Sequence, residues 1–415
     1  MQDFTGIETP FYLYDLGLLE RTLDAATKAA CRHGYHLHYA IKANHEREIL
    51  SRIAARGIGA DCVSGGELAT AFHAGFTPDT VVFAGVGKTD EEIIFALENN
   101  IQCLNCESVE ELEVVAGLAG QMGKVARVAL RVNPDVDART HRHITTGLEE
   151  NKFGIYPAQL QRALDYCAGN PSLRFVGLHF HIGSQITGQE PFRALCTRVN
   201  ELWRTFRISA HGGHVLNLGG GLGIDYQDPD GNPVPDFGTF FDLFANGLDL
   251  PGEVSVHFEP GRSLVGQCGT LITKVLYVKE GINKTFAIAD AGMTELLRPA
   301  LYQAYHKIEN LSSSAPPACY DVVGPACEST DIFAGNVMLP AVKRGDLLGI
   351  RSAGAYGQSM SLRYNRRRRV RAYFAGIPAF DNETAGAGPS TGHPETDYPS
   401  DHQTAPSELL SAAFV

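Results

Sequence analysis

Short runs of apolar and β-branched residues alternate along most of the chain with stretches whose apolar positions recur every three or four residues. The runs are Leu37–Ile41, Ala60–Ser64, Val81–Ala84, Cys103–Cys106, Ala126–Val132, Phe175–Ile182, Val215–Leu218 and Val254–Phe258. Between them, Glu67–Ala74, Glu91–Glu98, Glu110–Ala119 and Pro157–Cys167 show helical spacing. Near-continuous apolar strands belong to parallel sheets covered on both faces. Eight strand–helix alternations therefore predict an α/β protein with a TIM-like (β/α)8 barrel over residues 31–265. A doubly wound sheet is the second choice.

After residue 265 the texture changes. Thr270–Val278, Thr285–Ala289, Tyr320–Val323 and Asp346–Arg351 are strand-like but lack comparable helical spacers. They predict a second, mostly antiparallel β-sheet or β-barrel domain over residues 266–374. The segment TPFYLYD (9–15) is strand-like too and precedes the barrel, so residues 1–30 are assigned to the second domain. From 375 to 415 there is no Lys or Arg, and Gly, Pro, Ser and Thr abound. This stretch reads as a disordered acidic tail.

Composition narrows the function classes. A chain of 415 residues, 44% of them hydrophobic, can bury a large core. Its apolar runs fall well short of the ~20 residues of a membrane span, and its first residues lack the basic-then-apolar plan of a signal peptide. A cytoplasmic protein with no membrane association is expected. The formal charge of −12 argues against a nucleic-acid partner and favours small-molecule work. Nine scattered cysteines read as reduced thiols, not as a disulfide framework. Cys103 and Cys106 form a C-x-x-C, but in a strand-like run their side chains face opposite sides, and no second pair follows at zinc spacing. No metal is expected.

In a (β/α)8 barrel the reactive groups stand at the C-terminal ends of the strands. Those positions hold Lys42; Asp61 and Ser64; Glu107 and Ser108; Asn133; His181 and Ser184; the run Gly219–Gly220–Gly221–Leu222–Gly223; and Glu259–Pro260–Gly261–Arg262. Glycines let backbone N–H groups approach a phosphate, and a guanidinium can clamp one bidentately. Both motifs follow the seventh and eighth strands, where such barrels often hold phosphate. Two nucleotide-binding patterns fail: GVGKT (85–89) has Val82 where a P-loop needs glycine, and the run at 219–223 has Ile224 where a third glycine belongs. A phosphate pocket, a rim lysine and a nearby acid suggest pyridoxal 5'-phosphate, whose aldehyde takes a lysine amine as a Schiff base.

The motifs YAIKAN (39–44), GADCVSGGE (59–67), ENKFGI (150–155), GLHFHIGSQ (177–185), NLGGGLGIDY (217–226), EPGRSLV (259–265), RPALY (298–302), GPACES (324–329) and SAGAYGQSM (352–360) together carry a resemblance. Over about residues 8–365 the chain resembles the fold-type III pyridoxal-phosphate decarboxylases. The resemblance implies that Lys42 is the Schiff-base lysine, that His181 stacks on the cofactor ring and that Glu259 pairs with the pyridine nitrogen. Asp61, Ser184, Gly220, Gly221, Gly261, Arg262 and Tyr356 become cofactor contacts. Cys327 becomes the acid that protonates the α-carbon, supplied across a head-to-tail homodimer with shared active sites. Arg262, Arg298, Tyr302, Glu328 and Tyr356 match the positions that hold substrate carboxylates and a distal ammonium. Relatives acting on ornithine usually carry Asp after the cysteine, so the CES of this chain favours diaminopimelate. The expected reaction turns meso-2,6-diaminopimelate into L-lysine and CO2.

The family pattern frays at RRRRVRAYFAGIP (366–378), which leaves a last strand in doubt and Arg366–Arg369 in a solvated or tail-pairing role. Three rivals compete with this reading. A metal-dependent barrel hydrolase would use His179 and His181, which share one strand face. A non-catalytic pyridoxal-phosphate carrier would not need the second domain or its thiol. A decarboxylase of ornithine, arginine or carboxynorspermidine type would use the same catalytic parts.

Overall fold

The computed structural model describes residue 4, residues 6–136 and residues 152–376. The expected tail from residue 377 onward, and the first two residues of the motif at 150–155, lie outside the described residues.

The chain starts with β1 (Phe11–Asp15) and α1 (Leu16–Cys31), which Asp15 caps by accepting the Leu18 N–H. Strands and helices then alternate: β2 (His36–Ala40), α2 (Arg47–Ala54), β3 (Gly59–Cys62), α3 (Gly65–Ala74), β4 (Val81–Phe83), α4 (Asp90–Glu98), β5 (Cys103–Cys106), α5 (Val109–Gln121), β6 (Ala126–Arg131), α6 (Pro157–Gly169), β7 (Leu173–His179), α7 (Glu190–Thr205), β8 (Val215–Asn217), α8 (Phe237–Gly247), β9 (Ser255–Phe258) and α9 (Arg262–Val265). Strands β2 to β9 form a closed barrel, every neighbouring pair parallel, and β2 seals it against β9 with His36 opposite His257. Helix starts are encoded locally. Thr89 and Glu92 form a reciprocal capping box on α4, and Ser64 and Ser108 accept from Glu67 and Glu111 N–H at the heads of α3 and α5. These two serines, expected at the reactive rim, are thus helix caps.

Side-chain alternation sorts each strand. Leu37, Tyr39 and Phe258 point out into the layer between sheet and helices, where Phe240, Phe241 and Phe244 of α8 meet Phe258 edge-on. Val82, Cys103, Ala129 and Val176 form a small apolar plug inside the barrel. Cys103 lies in that plug and Cys106 in the outer layer, on opposite faces as strand geometry requires.

The remaining strands are β10 (Gly269–Glu280), β11 (Thr285–Ala289), β12 (Ile308–Asn310), β13 (Pro317–Val323), β14 (Ile332–Pro340), β15 (Leu347–Ile350) and β16 (Arg371–Ala375), with a one-turn helix α10 (Arg298–Tyr302) after β11. They form a mostly antiparallel sheet in the order β12–β15–β10–β11–β13–β14. β1 joins it, antiparallel to β10 and parallel to β16. So the chain does have a last strand, and its partner is the first. Residues before the barrel divide their allegiance: β1 goes to this sheet, while α1 packs on α8 of the barrel's helical ring.

Of the arginine run, Arg367 donates to Asp290 O and faces Glu295, and Arg368 pairs with Glu8 on the surface. No helix among the described residues is long and apolar enough to cross a membrane.

Candidate active site

Lys42 stands on a single 3-10 turn (Ile41–Ala43) immediately after β2, so its side chain rises from the barrel mouth. Nζ lies 3.1 Å from Oδ2 of Asp61, which sits on the adjacent β3 beside Ala40. Burial opposes the ammonium, yet Asp61, with Tyr356, Glu259 and Glu67 behind it, holds Lys42 above the ordinary lysine value. Asp61 itself is pushed up to about 6 by burial and by Glu259, against the pull of Lys42. Burial also pushes Glu67 up to about 7, although it accepts the Val63 N–H.

His181, two residues beyond β7, is driven well below the ordinary imidazole value by burial and then by Lys42 and Arg131. It is a neutral ring at working pH, able to lie against another ring without adding a charge. Its Nδ1 accepts the Gly220 N–H at 3.3 Å. Glu259 follows β9. Burial works to raise its carboxyl, but His179 and then Lys42 outweigh it and hold the group below the usual carboxylate range.

The glycine run after β8 threads between the ends of β7 and β9. A Cβ on Gly220 would come within 2.3 Å of Glu259 O, and Gly221 has φ +111°, so neither position tolerates a side chain. Arg262 opens α9 with its guanidinium under the ring of Tyr356 (4.8 Å), donating to Tyr226 Oη at 2.6 Å and Ser184 Oγ at 3.0 Å. Gly261 packs on Ala40 and Ala43, which brings Arg262 alongside the turn that carries Lys42. Tyr356 reaches the same turn through its own N–H, which donates to Ala43 O.

Arg262 also lines a cavity of about 860 Å³ together with Arg298 and Tyr302 of α10 and the loops after β7 and β8. Arg298 is buried against Tyr226 and donates to His306 Nε2 at 2.7 Å. Cys327 and Glu328 lie elsewhere, exposed on the turn before β14 and absent from the cavity's lining. Asn365 Oδ1 accepts the Cys327 N–H and Tyr364 Oη donates to Glu328. The structure therefore brings together Lys42, Asp61, His181, Glu259 and Glu67 in one group and Ser184, Arg262, Tyr356, Arg298 and Tyr302 in an adjoining one, with the Cys327 turn outside both in a single chain. Glu107, the other rim acid, is tied to Arg131 at 2.7 Å and to the Gly85 and Gly154 N–H groups.

Sequence reasoning overlooked Asn105, Asn217 and Tyr226. The two asparagines sit on inward positions of β5 and β8 and donate to Glu259, and strand alternation could have found them. Asn217 opens and Tyr226 closes the motif NLGGGLGIDY.

These residues fit a phosphorylated, electron-poor aldehyde. Asp61 Oδ1, Arg262 Nε and Ser263 Oγ are buried without a hydrogen-bond partner, a condition native interiors rarely leave unanswered. Asp61 and Arg262 stand at a mouth that offers an amine, a neutral ring, an ionised acid and a cation beside side-chain-free backbone. A closed parallel barrel with that mouth defines the class: an enzyme that works through a phosphorylated carbonyl cofactor.

The chain belongs to the pyridoxal-dependent decarboxylases. The model of that family's pyridoxal binding domain matches residues 16–266. A diaminopimelate decarboxylase of Bacteroides thetaiotaomicron is 52% identical over 371 residues, 89% of this chain and 96% of the relative. That of Zymomonas mobilis is 43% identical over 86% of each chain. The crystal structure of diaminopimelate decarboxylase from Helicobacter pylori complexed with L-lysine superposes with a TM-score of 0.85 at 38% identity, over 90% of this chain and 93% of that one.

Proposed function

We propose that the chain decarboxylates meso-2,6-diaminopimelate to L-lysine and CO2, acting in the cytoplasm as a homodimer with shared active sites. The observation that carries the substrate is the cavity beside the cofactor cradle. Arg262, Arg298 and Tyr302 converge on it, and guanidinium and phenol are suited to a carboxylate at the far end of a two-headed amino acid. Nine unpaired thiols, three of them exposed, fit a reducing compartment.

When bound, pyridoxal phosphate supplies an aldehyde for amines and a ring that accepts the electron pair left as CO2 departs. The chain's residues do the rest. Lys42 would hold the cofactor's aldehyde through its amine. Glu259, held ionised, would keep the ring nitrogen protonated, and the neutral imidazole of His181 would lie against the ring. Arg262 and Ser184, with the backbone at Gly220, Gly221 and Gly261, would hold the phosphate. The thiol of Cys327, an S–H donor, would supply the proton to the α-carbon that has lost its carboxylate. Because Cys327 and Glu328 are exposed on their own chain, the second copy receives them.

Two experiments test this. Diaminopimelate, ornithine, lysine and arginine are supplied separately with the cofactor, and CO2 release is measured. Diaminopimelate is expected to be consumed; release from ornithine or arginine alone sinks the substrate. Next, Lys42→Ala and Cys327→Ala proteins, each nearly inactive, are mixed and allowed to exchange subunits. Recovery of roughly a quarter of wild-type turnover is expected of a symmetric dimer with composite sites, and no recovery sinks the shared site.

A further inference from the structure

One imidazole of the H-x-H pair has no part in the chemistry above. His179 ends β7 with its side chain 1% exposed, and its Nε2 lies 3.0 Å from Glu259 Oε2. The other oxygen of Glu259 accepts from Asn217 Nδ2 at 2.7 Å and, more weakly, from Asn105 Nδ2 at 3.5 Å. Three strands, β5, β7 and β8, thus aim a side chain at one carboxylate presented beyond a fourth, β9.

Such a carboxylate has little rotational freedom, because its two oxygens are held from different directions. It also stays ionised in a place where burial alone would protonate it. Among its surroundings His179 opposes burial most strongly. The imidazole gains nothing for itself: its second nitrogen, Nδ1, is buried without a partner. A histidine kept only for packing would not leave a polar atom stranded where an apolar ring fits. As a metal ligand it is also unpersuasive, since Nε2 is taken by Glu259, and no group of three or more His, Cys, Asp or Glu among the described residues is arranged around a metal.

We propose that His179 is a positioning residue for the cofactor, acting through Glu259: it fixes the carboxylate's rotamer and charge and so sets the protonation of the ring nitrogen that Glu259 faces. This rests on the reading of Glu259 given above. The prediction separates donor from bulk. His179→Gln places an N–H at the same number of bonds from Cα as Nε2, whereas His179→Leu fills the site and donates nothing.

The test removes pyridoxal phosphate and rebinds it to wild type, His179→Leu, His179→Gln, Glu259→Gln and the Leu/Gln double variant. The visible absorption of the bound cofactor is followed against pH, the cofactor's dissociation constant is measured, and thermal melting confirms folding. His179→Leu is expected to shift the pH midpoint of the band and weaken cofactor binding about 10- to 100-fold, while His179→Gln stays near wild type. In the Glu259→Gln background the leucine is expected to change nothing further. Wild-type affinity and pH midpoint in a folded His179→Leu protein overturn the proposal, as does an equal shift in the double variant. A band that answers to Glu259→Gln but not to His179→Leu overturns the proposal alone; a band indifferent to both overturns the reading of Glu259 with it. If the leucine variant does not fold, His179→Asn, whose amide is too short to reach Oε2, takes its place under the same criteria.

Discussion

The barrel buries polar side chains in two places, and they behave differently. Near the N-terminal ends of the strands His38 and His257 stack and share a hydrogen bond of 2.8 Å. His38 Nδ1 meets Thr80 O at 3.0 Å and His257 Nε2 meets Ser255 Oγ at 2.9 Å, so both rings are satisfied at both nitrogens. Burial lowers them to about 4 and about 2, which leaves them neutral. At the other end Lys42, Asp61 and Glu259 carry charges, and Asp61 Oδ1 and His179 Nδ1 are buried without a hydrogen-bond partner. A closed polar network is part of the architecture, whereas an open one marks where a ligand completes the structure.

The sharpest way to break this contrast is at the mouth. Lys42→Ala is expected to lower turnover about 10³-fold or more, and borohydride no longer fixes the cofactor to the chain, as peptide mapping would show. A labelled site other than residue 42 in the wild type removes the basis of the comparison. At the opposite end His38→Ala is expected to leave the bound cofactor's spectrum unchanged. It costs about 2–4 kcal/mol of stability in urea unfolding, because it empties a buried site and strands His257 Nδ1 and Thr80 O. A spectral change would mean that the two ends are coupled.

Acid sharpens the contrast further. An imidazole with a depressed folded value contributes stability that is full above its unfolded value near 6.5 and is lost as pH falls through the folded value. For His38 the window runs from about 6.5 down to about 4, and the loss is on the order of 3 kcal/mol. Asp61, raised to about 6, has the opposite sign and partly offsets this loss as pH falls. Urea midpoints measured across this range are expected to fall with pH, and less steeply in His38→Ala. The smallest effect is expected on the surface: Arg368→Ala breaks an exposed pair with Glu8 and changes stability by less than about 0.5 kcal/mol.

Much of the barrel was legible because its strands are apolar on both faces and its helices carry their own caps. All eight runs became strands, with ends moved by a few residues. The second sheet was read less well. Three-residue β12 is too short to show a period, and β14 is interrupted by Asn336 at positive φ, so its exposed and buried positions do not alternate cleanly. β16 exists because β1, more than 350 residues earlier, offers it an edge, a contact no local pattern announces.

By itself the sequence determined the parts: an amine after the first barrel strand, glycines and an arginine after the last two, and a cysteine beyond the barrel. Those follow from local spacing, and spacing survives in one dimension. Tertiary structure alone decided their partners. It set Asp61 beside Lys42, turned His179 toward an acid 80 residues away, and left Cys327 outside its own chain's cavity. The physical reason is that partner choice depends on which way neighbouring strands face when the barrel closes, and closure is a property of the whole sheet.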